Sequence, residues 1–551
     1  MEISFFKEIK EITTDLVSIE SIVKKGSETK MAEFVYDYYS NLDYFKKNPE
    51  NLILQQTVND DIKRHNTICL LKGNSKSNKT VVLLGHIDTV GVDDFKYLKD
   101  YAFDSEKLVE QLSKEDLSEE IRKDLQSQEY MFGRGALDMK SGVANHMAII
   151  KYFSENLDKL NGNIVAVAEC DEEDSSMGII SALDVLKDLK DKEDLDYQVT
   201  VNSDFTTPLY KGDNSRYIYL GTVGKLLPSF YIGGVETHVG QGFFGVDPTL
   251  VGSEIDREFN LNMEYSDYSK GEATIPPVCL QFRDLKEKYD VQTPLSSNLY
   301  YNYATHSQSP KDVIEIAKTI AKKSLEKALK YKDQQYKLWC EKGNYEYKKV
   351  DYNLMVYTWE EYDNHLKEIY KEKYTEFLED LKNSIDKDFP ELSHTEFNLK
   401  LIDSVYKKFH RGNNPTVIVY YGSTFYQNVE INGKDKREEN LIESLERTIS
   451  KTKDFIKEEV KLKYFYPYIS DSSFMYLPED KSGILAYKNN FPSWGVKYKH
   501  PIEKIEKISM PVINLGVYGQ DGHKLTERVH MKYSFQSLPN LIKTFIEEVL
   551  G

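Results

Sequence analysis

Residues 80–90 read Thr80-Val81-Val82-Leu83-Leu84-Gly85-His86-Ile87-Asp88-Thr89-Val90. The run Thr-Val-Val-Leu-Leu shows no alternation of polar and apolar residues. A strand wet on one face alternates; a strand covered on both faces does not, and that pattern marks a parallel strand inside an α/β sheet. Working outward, Thr67–Leu71, Ile164–Ala168, Gln198–Val201 and Val512–Leu515 read as further strands. Helical segments fall between and around them: Phe5–Val23, Glu28–Tyr39 capped by Ser27, Ala136–Phe153, Ser176–Lys187, Glu438–Glu459 and Ser537–Leu550. This alternation predicts an α/β fold, a mostly parallel sheet covered by helices.

The chain has 551 residues, more than one core usually supports. From Lys225 to about Asn428 its character changes. Strands (Leu226–Ile232, Thr416–Tyr421) are mixed there with long, charged, Tyr-rich helical stretches, Lys311–Tyr331 and Trp359–Asp386. A strand is expected near Ile484–Ala486. The reading is one α/β domain made of residues 1–224 and 429–551, split by an inserted α+β domain of residues 225–428. Asp93–Gln128 is polar and helical and reads as a surface insertion.

The formal net charge of −18 argues against nucleic acid or an anionic membrane surface as partner. No apolar stretch approaches the roughly 20 residues of a membrane helix, and Met1–Lys10 lacks the apolar core of a leader. Cys69, Cys170, Cys279 and Cys340 are scattered, without a CxxC pair, so a reducing cytoplasm is expected.

Five strand ends deliver chemistry-bearing residues, and in open α/β sheets ligands bind beyond the carboxyl ends of strands. The first carries His86, with Asp88 placed to accept the imidazole's other N–H and raise its basicity as a ligand. The second is Gly133-Arg134-Gly135-Ala136-Leu137-Asp138-Met139-Lys140-Ser141-Gly142. The third is Glu169-Cys170-Asp171-Glu172-Glu173-Asp174-Ser175-Ser176-Met177-Gly178. The fourth is Asn202-Ser203-Asp204-Phe205, and the fifth runs from Gly519 through His523 to Glu527, Arg528 and Val529. Each alone has an ordinary reading: a structural histidine, a helix cap, a solvated acidic loop. Together they supply two histidines and three carboxylates, a donor set for two divalent cations, with a glutamate to spare for a proton.

In that combination and order the sequence resembles the M20 metallopeptidase family, the aminoacylase, carboxypeptidase and dipeptidase group. The resemblance rests on His86-Ile87-Asp88, the segment around Asp138, Asp171-Glu172-Glu173 with Gly178, Asp204, and His523 with Glu527. It implies that Asp138 bridges two metals, that His86 and Asp204 complete one site, and that Glu173 and His523 complete the other. Asp88 would support His86 and Glu172 would be the general base. The metals would be zinc, with cobalt or manganese as alternatives.

The inserted domain resembles the family's lid. Gly233-Gly234-Val235-Glu236-Thr237-His238-Val239-Gly240 is similar to the motif whose histidine meets a substrate oxyanion, sometimes across a dimer, which implies that role for His238 and a monomer or a homodimer through the lid. A clamp for a substrate carboxylate is expected in the family, and Arg411 is a candidate. Within the family, the long chain, the enlarged lid, Arg283-Asp284-Leu285-Lys286, Tyr289-Asp290-Val291-Gln292-Thr293-Pro294 and Tyr468-Ile469-Ser470-Asp471-Ser472-Ser473-Phe474 are similar to an arginine-utilisation branch. The resemblance thus implies a hydrolase of an amide or peptide bond in a small amino-acid-derived substrate, such as a dipeptide, in amino-acid catabolism. A deacylase of N-acyl amino acids would use the same chemistry. An inert metal-binding or regulatory protein of the same fold is the other class, and the filled ligand and base positions argue against it.

Overall fold

The structure, a computed structural model, describes residues 2–478 and 480–551. The chain forms two compact units: residues 1–222, 429–477 and 501–551 make the first, and residues 223–428 and 478–500 the second.

The first unit is built on an eight-stranded sheet. Its order is Leu52–Gln56, His65–Lys72, Asn163–Glu169, Lys79–His86, Asp196–Asn202, Val512–Asn514, Arg216–Tyr219 and Val460–Lys463. The run 81–84 is buried throughout, and its strand lies parallel to both neighbours, with Val82 opposite Val165 on one side and Thr200 on the other. Val512–Asn514 continues in parallel from Asp196–Asn202. Four adjacent strands therefore run the same way. Their carboxyl ends, at His86, Glu169, Asn202 and Asn514, open at one edge of the sheet. Antiparallel pairing is confined to the flanks.

Three local expectations for this unit are corrected. The helix expected over Ala136–Phe153 begins at Ser141. Ala136–Lys140 is a single wide turn in which Asp138 is extended, so Asp138 caps nothing and its carboxylate is free for other work. The helix Glu28–Ser40 forms, but Ser27 already has helical dihedrals and its hydroxyl caps nothing. The segment Asp93–Gln128 is more than a polar surface insertion. Its helices Ser105–Leu112 and Glu119–Ser127 are capped by the side chains of Asp104 and Ser118. Phe95, Leu98, Ala102, Leu108 and Leu112 form a buried cluster with Phe132. The i,i+4 pair Leu108 and Leu112 is hidden in the sequence among charged neighbours.

The second unit has a six-stranded, mostly antiparallel sheet. Pro228–Gly233 lies at its centre between Ser296–Thr305 and Thr416–Tyr421. Long helices cover it, among them the 34-residue Pro310–Gly343. The helical stretch expected over Trp359–Asp386 is two helices, Trp359–Tyr370 and Glu372–Asp388, parted at Lys371, which has φ 52°. Residues 478–500, expected with the α/β domain, belong to this unit, and Ile484–Ala486 lies in the helix Ser482–Asn489 rather than in a strand. Ile484 and Tyr487 are buried at helical spacing, a period that a three-residue apolar run cannot reveal. Tyr487 packs against Tyr421 and donates to the Ser423 carbonyl at 2.8 Å, while the Tyr421 N–H donates to the Asn490 carbonyl at 2.8 Å.

Leu83 is fully enclosed in the centre of the first unit's sheet. Leu83→Ala should cost about 2–5 kcal/mol of stability, read as a lowered denaturant midpoint at unchanged slope. A loss below about 1 kcal/mol would contradict that placement.

Candidate metal centre

Asp138 is the hub of the strand-end loops. Its Oδ1 lies 3.0 Å from His86 Nε2, and its Oδ2 lies 2.9 Å from His523 Nε2. His523 Nε2 is also 2.9 Å from Glu173 Oε1. Among the described residues, His86, Asp138 and Glu173 present ligand atoms that all lie within 4.8 Å of one another. Asp204 is buried nearby; its Oδ1 accepts the Phe205 N–H at 2.7 Å, and the Tyr466 hydroxyl donates to the Phe205 carbonyl at 2.9 Å.

The electrostatics suit a cation. Burial would raise the Asp138 carboxyl, but hydrogen bonds from His523 and His86 outweigh it and hold it well below the usual range. Burial and then the charge of Asp138 push Asp204 up to about 7 and raise Glu173. Burial also drives Glu172 far up; His86 opposes this, while Asp471, Glu173 and Asp204 add to it. Carboxylates gathered out of water either take protons or neutralise a cation. Two imidazoles and the carboxylates of Asp138 and Glu173 in mutual reach, with Asp204 buried where it feels the Asp138 charge, are donors that fit divalent metal ions.

Backbone contacts fix the loops. The Asp88 carboxylate accepts the N–H groups of Glu172 at 3.2 Å and Glu173 at 3.0 Å. It does not take the imidazole proton expected of it. His86 Nδ1 bonds instead to the Asp88 carbonyl at 3.1 Å, and the carboxylate stands 3.7 Å away. Asp88 thus supports His86 through its backbone and the acidic loop through its side chain. Asp171, at φ 69°, is paired with Arg64, which also grips Asp60 at 2.8 Å and Glu28 at 3.3 Å. Gly178 is required by close packing, since a Cβ there would sit 2.0 Å from the Cys170 carbonyl oxygen.

The sequence pointed to Glu527 without giving it a task. Glu527 is buried and accepts the N–H groups of Leu137 at 3.2 Å and Asp138 at 3.3 Å, while Arg134 donates to it at 2.6 Å. Sequence reasoning missed Arg134 and Arg64 as supports. Arg134 stands in the same Gly-rich segment as Asp138, but only the fold shows what it grips. In the second unit, His238 is exposed and its Nδ1 accepts the Gly240 N–H at 3.1 Å. Arg411 is exposed and donates to the carbonyl of His410 at 2.8 Å.

The chain belongs to peptidase family M20/M25/M40, whose pattern matches residues 82–476. It is therefore a metal-dependent hydrolase of the peptidase or amidohydrolase kind. It is 35% identical over 537 residues to Protein RocB of Bacillus subtilis (strain 168), covering 97% of this chain and 94% of that protein. It is also 30% identical over 551 residues to the uncharacterized protein YqjN of the same strain, covering 98% and 96%. Among solved structures it shares its fold with the M20 family metallo-carboxypeptidase Sso-CP2 from Sulfolobus solfataricus. There the TM-score is 0.51 at 12% identity, covering 98% of this chain and 99% of that one.

Hydrogen bonds to Asp138 and Glu173 outweigh burial and raise His523 to about 11. In metal-free protein the imidazolium therefore stabilises the fold. That contribution is complete below the unfolded histidine value of about 6.5 and is lost as pH rises through the folded value. Thermal melts of metal-free protein should show stability falling from about pH 6.5 toward 11, and His523→Ala should flatten the slope. Added divalent cation, which requires the neutral ring, should reverse the trend. An unchanged slope in the variant would remove His523 from the centre.

Proposed function

We propose that the chain hydrolyses an amide bond in a small amino-acid-derived substrate, a dipeptide or a related compound, with two divalent cations held by His86, Asp138, Glu173, Asp204 and His523. The observation that carries this reading is the Asp138 carboxylate, each of whose oxygens faces a different histidine. A carboxylate so placed is shared between two sites. Zinc is the proposed metal, with cobalt or manganese as alternatives, since imidazole and carboxylate donors suit all three. Bound cations polarise a carbonyl and make water acidic enough to attack at neutral pH.

The chain's own residues do the rest. Glu172 has no lysine or arginine within ion-pair reach among the described residues, and its loop is held by the Asp88 carboxylate. Its carboxylate takes the proton of the attacking water and returns it to the leaving nitrogen, acting first as base and then as acid. His238 is proposed as the oxyanion donor on the family resemblance, and Arg411 as the partner of a substrate carboxylate. The resemblance of the segments 283–286, 289–294 and 468–474 to an arginine-utilisation branch is the ground on which we place the reaction in amino-acid, and specifically arginine, catabolism. We place the enzyme in the cytoplasm, as a monomer or a homodimer.

Glu172→Ala should keep its metal content by elemental analysis while kcat falls at least about 10³-fold. The assay is a panel of dipeptides, arginine-containing ones included, and N-acyl amino acids, run on metal-loaded protein. Cleavage of the acyl compounds alone would redirect the assignment to a deacylase. Substantial turnover by the variant would remove Glu172 as the base.

A further inference from the structure

Two guanidinium groups stand behind the metal centre, those of Arg134 and Arg528, each 1% exposed. Each grips one carboxylate from the ligand-bearing loops and one from residues 93–128. Arg134 Nη1 donates to Glu527 and Nη2 donates to Asp94, both at 2.6 Å. Glu527 in turn accepts the backbone N–H of Asp138. A continuous chain of bonds therefore runs from Asp94 through Arg134 and Glu527 to the residue at the hub.

Arg528 makes the matching chain on the other loop. Its Nε donates to Asp124 at 2.7 Å, and its Nη1 donates to Asp521 and to the Thr526 carbonyl. Asp521 also accepts the Thr526 hydroxyl at 2.8 Å, and its carbonyl accepts the Lys524 N–H at 3.0 Å. Those bonds close the loop that holds His523 at φ 62°. Further contacts bind the same segment to both loops. The Arg134 N–H donates to the Ala102 carbonyl at 2.9 Å, and its guanidinium lies over the Phe95 ring at 5.1 Å. The strand leaving the segment, Tyr130–Phe132, pairs with Arg528–His530.

We propose that residues 93–128 are a built-in clamp of the metal centre, with Asp94 and Asp124 as positioning residues for Asp138 and His523. This rests on the proposed two-cation centre. A guanidinium out of water needs its carboxylates, and removing one leaves charge uncompensated. The rigid planar fork of arginine grips two carboxylates in fixed directions, so the position of one partner constrains the other. Groups that hold metal ligands from behind orient them, and losing one typically costs about 10- to 100-fold in metal affinity.

The test uses full-length D94N and D124N, with D116N as control. Asp116 forms an exposed 2.6 Å pair with Arg122 in the same segment and touches neither loop. Asp94 is 32% exposed, and asparagine leaves Arg134 a neutral acceptor, so the fold should survive. Cobalt and zinc affinity are measured by competition with a chromophoric chelator, and the cobalt protein's visible absorption reports ligand geometry. D94N and D124N should each weaken cation binding roughly 10- to 100-fold and shift the cobalt bands, while D116N should match wild type. Variants that melt earlier yet bind cobalt with wild-type affinity and spectrum would overturn the clamp and leave the two-cation reading intact. A wild-type chain that takes up no cation would overturn both.

Discussion

The structure depends on one constraint: several carboxylates are gathered out of water around Asp138. Like charges brought together in a low-dielectric place repel strongly unless protons or cations intervene. The fold accepts this because four parallel strands end along one edge and lead into the segments carrying His86, Glu173, Asp204 and His523, while Asp138 is brought to His86 and His523 by the turn that follows Tyr130–Phe132, a strand of a separate three-stranded sheet. The turn at Ala136–Lys140 serves the same end. Its extended Asp138 gives up the ordinary capping role and points both oxygens at histidines.

Much of this was legible from residues 80–88. An unbroken apolar run followed by His-x-Asp specified a doubly covered strand and a polar loop at its end. An unbroken apolar run leading into acidic residues recurs at 164–173, while the strand before Asp204 alternates as Gln198-Val199-Thr200-Val201, and the parallel core appeared where it was expected. What failed to show in the sequence was long-range pairing. Nothing in Asp93–Gln128 announces that Asp94 and Asp124 meet buried arginines, because the helices that place them are amphipathic only over short spans. Nor could the three apolar residues at 484–486 choose between strand and helix; Tyr487, one residue beyond, decided it by burying at helical spacing.

The Asp88 carboxylate shows a subtler limit. Proximity in sequence suggested an imidazole partner, and the backbone carbonyl took that place. The carboxylate was thereby released to hold two amide groups across the sheet edge. A spacing rule predicts which groups are near one another. It does not predict which of two acceptors on one residue wins, since that depends on what else the second acceptor can reach.

Buried arginines pair with some of the acids around the centre and leave others without them. Asp171, Glu527 and Asp521 are each paired with an arginine. Asp138, Glu172, Glu173 and Asp204 have neither arginine nor lysine within ion-pair distance among the described residues. Arginine stays protonated at any pH a protein meets and cannot ligate a metal. Used behind the loops, it neutralises the supporting acids without competing for the ligand positions. Had the supports been histidines, their neutral rings would offer rival donors and their charge would vary with pH. The compensation missing from the second set must come from protons when no metal is present, and from cations when they bind. That difference is what supports the proposal that metal binds at this cluster rather than among the arginine-paired acids.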